Sequence, residues 1–239
     1  MREFHEIWVY LSASPLLHLT LTLVAFVLAS TVYQRFGMNP IFNPVLLSVI
    51  LVVLILRTTD TSYEAYFEGA QFVHFLLGPA TVALAIPLYR QFDRVRHSLF
   101  AITASVLAGS VTSAASAVYI AWVLEADLAS VISVAPKSVT APVAMGISEQ
   151  LGGLPSLTAV IVILTGIMGA IVGPPILNLL KINDWSIRGL AIGTASHGIG
   201  TARAIQVNEV AGAFSGLAMG LNAIATAILL PVFWHLIFN

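Results

Sequence analysis

Residues 99–124 read LFAITASVLAGSVTSAASAVYIAWVL, an apolar run without a single charged side chain. At about 1.5 Å of rise per helical residue, the run is long enough to cross roughly 30 Å of bilayer hydrocarbon. Its apolar residues occupy all sides of the helix, whereas a barrel strand would be a short segment with every second residue polar. Residues 16–33 have the same character. The composition agrees, with 58% hydrophobic and 9% charged residues, against roughly a quarter charged in an ordinary soluble domain. The chain is therefore read as an all-α integral membrane protein, a multi-span helical bundle.

Candidate spans fall at about 16–34, 44–57, 72–89, 98–124, 129–149, 156–180, 187–207 and 211–237, one polytopic domain over residues 1–239. The first run is too long for a signal-peptide core and is expected to be a retained span. Residues 7–14, with Trp8 and Tyr10, suit either the membrane interface or a frayed start to that span. Arg90, Arg94 and Arg96 mark a cytoplasmic loop, because short cytoplasmic loops retain positive charge. Asp60, Glu64 and Glu68 on one side of it, and Glu125 and Asp127 on the other, fit the opposite face. Placing Lys181 and Arg188 inside as well then requires that one later segment not cross, and 129–149 is the best candidate. It contains Ala135-Pro-Lys-Ser-Val-Thr-Ala-Pro142, where the prolines remove amide donors and break the helix. Irregular backbone at membrane depth must be satisfied by protein or by cavity water, so it implies a lined site. Gly78 to Pro87, Gly193 to Arg203 and, more weakly, Gly173-Pro-Pro175 share that character. Pro79-x-Thr81-Val82 echoes Pro136-x-Ser138-Val139, as an inverted repeat with halves of about 16–124 and 125–237 would produce.

Lys137 is the most informative charge, since a lysine near a span centre costs about 2.5–3.5 kcal/mol on insertion scales and calls for an anion or a wet cavity. Ser138 and Thr140 would add hydroxyls beside it. The bland alternative is a lysine that snorkels or pairs with Glu149. In the second cluster, Arg203 suits two-point carboxylate binding, His197 a proton near neutral pH, and Thr201 a hydroxyl contact. A buried histidine at a helix bend and an arginine at the membrane edge are the structural alternatives. Gly198-x-Gly200 lacks the remainder of a dinucleotide loop. Gly212, Gly216 and Gly220 read as a helix-packing face, and Ala104, Ser105, Ala108, Thr112 and Ser116 as close packing or a sliding surface; from these a homodimer is expected. The chain has no cysteine, and His5, His18, His74, His97, His197 and His235 are scattered. No metal, cofactor or enzymatic activity is therefore expected, and the near-zero net charge offers no basic cluster for nucleic acid.

At four motifs the chain resembles the LrgB/CidB membrane-protein family, which also includes the carboxy-terminal half of the plastidial glycolate/glycerate translocator. They are Gly78-Pro-Ala-Thr-Val-Ala-Leu-Ala-Ile-Pro-Leu-Tyr89, Pro136-Lys-Ser-Val-Thr-Ala-Pro-Val-Ala-Met145, Leu164-Thr-Gly-Ile-Met-Gly169 and the Gly193 to Arg203 stretch. Ala141 stands where the family usually has a second threonine. The resemblance implies two functions. One is antiholin-like modulation of murein hydrolase activity and autolysis with a small LrgA/CidA-type partner. The other is transport of short 2-hydroxy carboxylates or pyruvate. Intramembrane cations favour transport. The expectation is a secondary carrier of small monocarboxylates in the bacterial inner membrane, working by elevator-like motion. Lys137 and Arg203 would bind the carboxylate, Ser138, Thr140, Thr81, Thr201 and Asn222 would contact it, and His197 or Glu149 would carry a coupled proton. A pore component is the second transport mode.

Overall fold

The computed structural model describes residues 15–76, 79, 82, 83 and 85–238. Every regular element among them is helical, and four helices are long and apolar enough to cross a membrane. The chain is an all-α membrane protein, folded as two compact units, Met1–Ala83 and Leu84–Asn239.

In the first unit α1 (Pro15–Arg35) packs against α2 (Pro44–Thr58) and α3 (Tyr63–Phe75). Asn43 starts α2 by accepting from the Val45 and Leu46 amides at 2.9 and 3.3 Å, with Pro44 at the first helical position. The span expected at 72–89 differs. Helix begins at Tyr63 and ends at Phe75, so Glu64 and Glu68 are helical rather than in a loop. A glutamate in the first turn is favourable beside the free amides there. Residues 7–14, Thr81 and most of 77–84 lie outside the described residues.

The second unit contains α4 (Ala85–Arg90), α5 (Phe92–His97), α6 (Leu99–Val123), α7 (Leu128–Val134), α8 (Ala141–Leu151), α9 (Pro155–Leu179), α10 (Trp185–Val207) and α11 (Glu209–Phe238). Helices α6 and α11 run parallel: Ile102 and Val106 share a core with Phe214 and Ala218, and further along Ser110 and Thr226 hydrogen-bond at 2.9 Å.

Helices α7 and α8 are the arms of a hairpin. Asp127 caps α7 by accepting from the Ser130 amide at 3.0 Å. The chain then leaves helix over residues 135–140, and α8 restarts after Thr140 with Pro142 in its first turn. Just past α8, the Leu154 amide donates to Ser133 Oγ of α7 at 2.8 Å. Thr158 Oγ1 lies 3.1 Å from the Ser133 carbonyl and 2.8 Å from Ser148 Oγ, so it ties both arms to α9. Neither arm is long enough to cross alone, at about 10 and 16 Å. Segment 129–149 therefore enters and leaves on the Glu125 face, as the charge pattern required.

Helix α10 is a second hairpin, and here the expected span at 187–207 is corrected: it does not cross. His197 has φ 39° and ψ −137°, which reverses the chain. Before it, Gly189 and Gly193 lie on the carbonyls of Ala211 and Ser215, so residues 185–196 run parallel to α11. After it, Thr201 Oγ1 meets Ser215 Oγ at 2.9 Å and Ile205 packs on Gly212, so residues 198–207 run back along the same stretch. Gly200 is required at this closure, since a Cβ there would meet the Ser196 side chain and lie 3.3 Å from the Ile192 carbonyl oxygen. Asp184 at the base of the first arm feels Arg94, and Glu209 after the second arm pairs with Arg90 at 2.9 Å. Both ends of this hairpin thus lie on the arginine face. Helices α6, α9 and α11 cross between the two faces, and the charge conflict over Lys181 and Arg188 disappears.

Two smaller expectations change. Helix α9 continues through Pro174 and Pro175, because a proline's own φ fits a helix and only two amide donors are lost about a turn before its end. Of the glycine row on α11, Gly212 packs on Ile205, whereas nothing lies within 4 Å of a Cβ at Gly220.

A Gly193→Val change places its Cβ on the Ser215 carbonyl. Overpacking of this kind costs about 1–3 kcal/mol, so the melting temperature in detergent should fall clearly, while Gly220→Ala should leave it unchanged. Acid should also loosen the base of this hairpin. The Ser186 hydroxyl, the Ile187 and Ser186 amides and Arg94 hold the Asp184 carboxyl below its ordinary range, against a small opposing effect of burial. A depressed folded pKa gives stability that is present above the unfolded value and lost as pH falls through the folded one. The carboxylate is exposed, so the effect is small. Asp184→Asn is expected to flatten the decline in melting temperature below about pH 4.

Candidate functional site

The two hairpins enter from opposite faces, and their tips meet at Asn222 of α11. Its Nδ2 donates to the Ser138 carbonyl at 3.2 Å and to the Thr194 carbonyl at 3.0 Å. Both carbonyls are orphaned by the breaks. The helical partner of Ser138 would be residue 142, a proline without an N–H, and the partner of Thr194 would be Gly198, which the reversal at His197 carries away. One amide, 1% exposed, thereby satisfies both interrupted segments. Its own Oδ1 has no hydrogen-bond partner among the described residues.

At the tip of the first hairpin Lys137 is half-buried. Its Nζ donates to Ser113 Oγ of α6 at 2.9 Å and lies 3.4 Å from Ser138 Oγ, while the two serine hydroxyls are 2.6 Å apart. Among the described residues Lys137 forms no salt bridge; the pair with Glu149 is not made, and Glu149 is exposed in the last turn of α8. Lys137, Ser113 and Ser138 line a cavity of about 630 Å³ between α6, α9 and α10, whose other polar walls are Thr165 and Ser196. Ser196 Oγ is fully buried, has no hydrogen-bond partner among the described residues and lies against Gly169, where a Cβ would collide with it. An ammonium among hydroxyls in a largely apolar cavity offers donors of the kind a small anion accepts from.

The other expected residues separate. His197 Nε2 lies 2.8 Å from the Val162 carbonyl, which can only accept, so this nitrogen carries the proton and anchors the second tip to α9. Gly166 leaves room for the ring, since a Cβ there would lie 2.8 Å from Nε2. Thr201 Oγ1 donates to the His197 carbonyl at 2.8 Å and meets Ser215, stapling the return arm to α11. Arg203 sits on that return arm and does not line the Lys137 cavity, because the reversal carries residues after His197 back toward the arginine face. Thr140 starts α8, its carbonyl accepting from the Ala144 amide at 2.9 Å, and does not line the cavity either. Thr81 lies outside the described residues. Sequence reasoning missed Ser113, Thr165 and Ser196. Thr165 and Ser196 stand inside quoted motifs, but Ser113 is one small residue in a long row of them and carries no signal until the hairpin tip reaches it.

The family model described as LrgB-like family matches residues 22–236. Among curated relatives, the uncharacterized protein YwbG of Bacillus subtilis is 37% identical over 89% of this chain and 94% of its own length. The holin-like protein CidB of Staphylococcus epidermidis is 31% identical over 93% of this chain and 96% of its own. The antiholin-like protein LrgB of Bacillus subtilis is 31% identical over 94% and 97%. No solved structure matches the chain. Matched by one family model along nearly its whole length, and aligned with relatives of the same extent, the chain belongs to the LrgB-like family.

Proposed function

We propose that the protein is a secondary carrier of small monocarboxylates, of the glycolate, glycerate, lactate and pyruvate class, in the bacterial cytoplasmic membrane. One observation carries this reading: Lys137 stands at a re-entrant tip, lines a cavity with Ser113 and Ser138, and has no carboxylate partner among the described residues. An ionisable residue at membrane depth is expensive and is kept for a pathway or a ligand. Interrupted helices whose broken ends meet inside the membrane are the usual setting for such sites in carriers. Two hairpins inserted from opposite faces also suit an elevator-like motion, but both lie within 125–237, so they are not the counterparts that repeat halves of 16–124 and 125–237 would supply. His197, at the second tip, is the candidate for a coupled proton. The test is uptake of labelled glycolate and pyruvate by liposomes containing the purified protein, with and without a proton gradient. Saturable uptake is expected, and folded protein that takes up neither acid overturns the reading.

A second reading is favoured by the printed names of relatives, holin-like CidB and antiholin-like LrgB. In it the chain modulates murein hydrolase activity or forms part of a pore, together with a small LrgA/CidA-type membrane partner. That reading expects a small protein to co-purify, and expects an autolysis phenotype that survives Lys137→Ala.

A further inference from the structure

The cavity at Lys137 adjoins a second one. Between α6 and the first arm of α10 lies a cleft of about 750 Å³ that shares Ser113, Ala191 and Ala195 with it. This cleft also contains Arg94 and Ser98, and both residues line a third, shallower basin of about 460 Å³ with Arg90, Asp93 and His97. The three spaces are therefore neighbours, each sharing wall residues with the next from the arginine face to the Lys137 hydroxyls. Along α6 the way is marked by Ser98, Ser105 and Ser113, which spans roughly 20 Å of helix. Toward the other face Ala135, Ile147 and Leu230 pack together, as do Val139, Ala144 and Val162.

The charges at the mouth are Arg90, Asp93, Arg94, His97 and Asp184. Arg90 is paired with Glu209, while Asp184 accepts from the first turn of α10 and feels the charge of Arg94, and Asp93 is the second carboxylate at the mouth. His97 Nδ1 lies 2.6 Å from the Asp93 carbonyl. Arg94 is the cation that lines both the basin and the cleft. We propose that this cleft, with Arg94 at its mouth and Ser113 at its inner end, is the route by which small anions reach Lys137 from the arginine face. The nature of the cargo rests on the carrier reading, whereas the route does not.

The protein lacks cysteine, so a single introduced thiol reports without background. Ser105→Cys, midway along the cleft, is treated in vesicles of known orientation with anionic and cationic methanethiosulfonates of similar size. Labelling from the arginine face only is expected, with the anionic reagent preferred. Arg94→Gln should lower that preference by about tenfold, the scale of charge focusing in a low-dielectric cleft. Ser98→Cys at the mouth serves as the reference for folded, accessible protein. A Ser105→Cys thiol that stays unlabelled while Ser98→Cys reacts overturns the route, and so does a preference unmoved by Arg94→Gln. Glycolate protection of Ser105→Cys is read separately: correct labelling without protection keeps the route and counts against the carboxylate cargo.

Discussion

Lys137→Ala is expected to abolish saturable monocarboxylate uptake, lowering kcat/KM by about two to three orders of magnitude. Removing one partner of a buried, hydrogen-bonded ionic contact costs about 2–5 kcal/mol, and in the proposed carrier that contact is with the substrate carboxylate. Among the described residues the ammonium hydrogen-bonds only the Ser113 and Ser138 hydroxyls. These can hydrogen-bond each other across 2.6 Å when the amine is gone, so the fold should survive. Arg203→Ala provides the contrast. Because the return arm keeps that residue away from the cavity, its replacement should change uptake by about twofold at most, as for substitutions remote from a site. Equal losses in the two variants would mean that the tips rearrange to bring both cations to the substrate. Undiminished uptake in Lys137→Ala would remove this lysine from the binding site.

The second large effect concerns stability. Asn222→Leu keeps the side-chain bulk but leaves the Ser138 and Thr194 carbonyls without donors at the meeting point of the hairpins. A buried carbonyl left unpaired costs about 1–3 kcal/mol, so the pair amounts to about 2–6 kcal/mol. A melting temperature in detergent lower by roughly ten degrees is the expected reading. Thr226→Val, which removes only the hydroxyl pair with Ser110, should shift it much less. If Asn222→Leu melted like the parent, water or another amide would have to serve these carbonyls, and the amide could not be what holds the tips together.

The helical membrane class was legible in residues 99–124 alone, because an apolar run of that length with no charge has one stable form in a bilayer. The first hairpin was also legible. Pro136, Lys137 and Pro142 mark a break, and the positions of Glu125, Asp127, Lys181 and Arg188 require a segment that does not cross. The second hairpin was only half visible. Its glycines announced an interruption, but the direction taken after His197 depends on contacts of Gly189, Gly193 and Thr201 with α11. No local pattern encodes these, since a bend and a reversal need the same small residues. Thr201 and Arg203 follow His197, and the reversal there carries them back along α11, away from the Lys137 cavity.

By itself the sequence determined the solvent in which this protein folds, its helical class and the place of an intramembrane cation at Lys137, because desolvation of charge and backbone acts on each residue locally. Only the tertiary structure decided that α10 turns back, that Ser113 rather than Arg203 stands beside Lys137, and that Asn222 joins the two tips. Those outcomes depend on which carbonyl loses its helical donor and which distant side chain lies within 3.2 Å to replace it, and that is a property of packing between helices far apart in the chain.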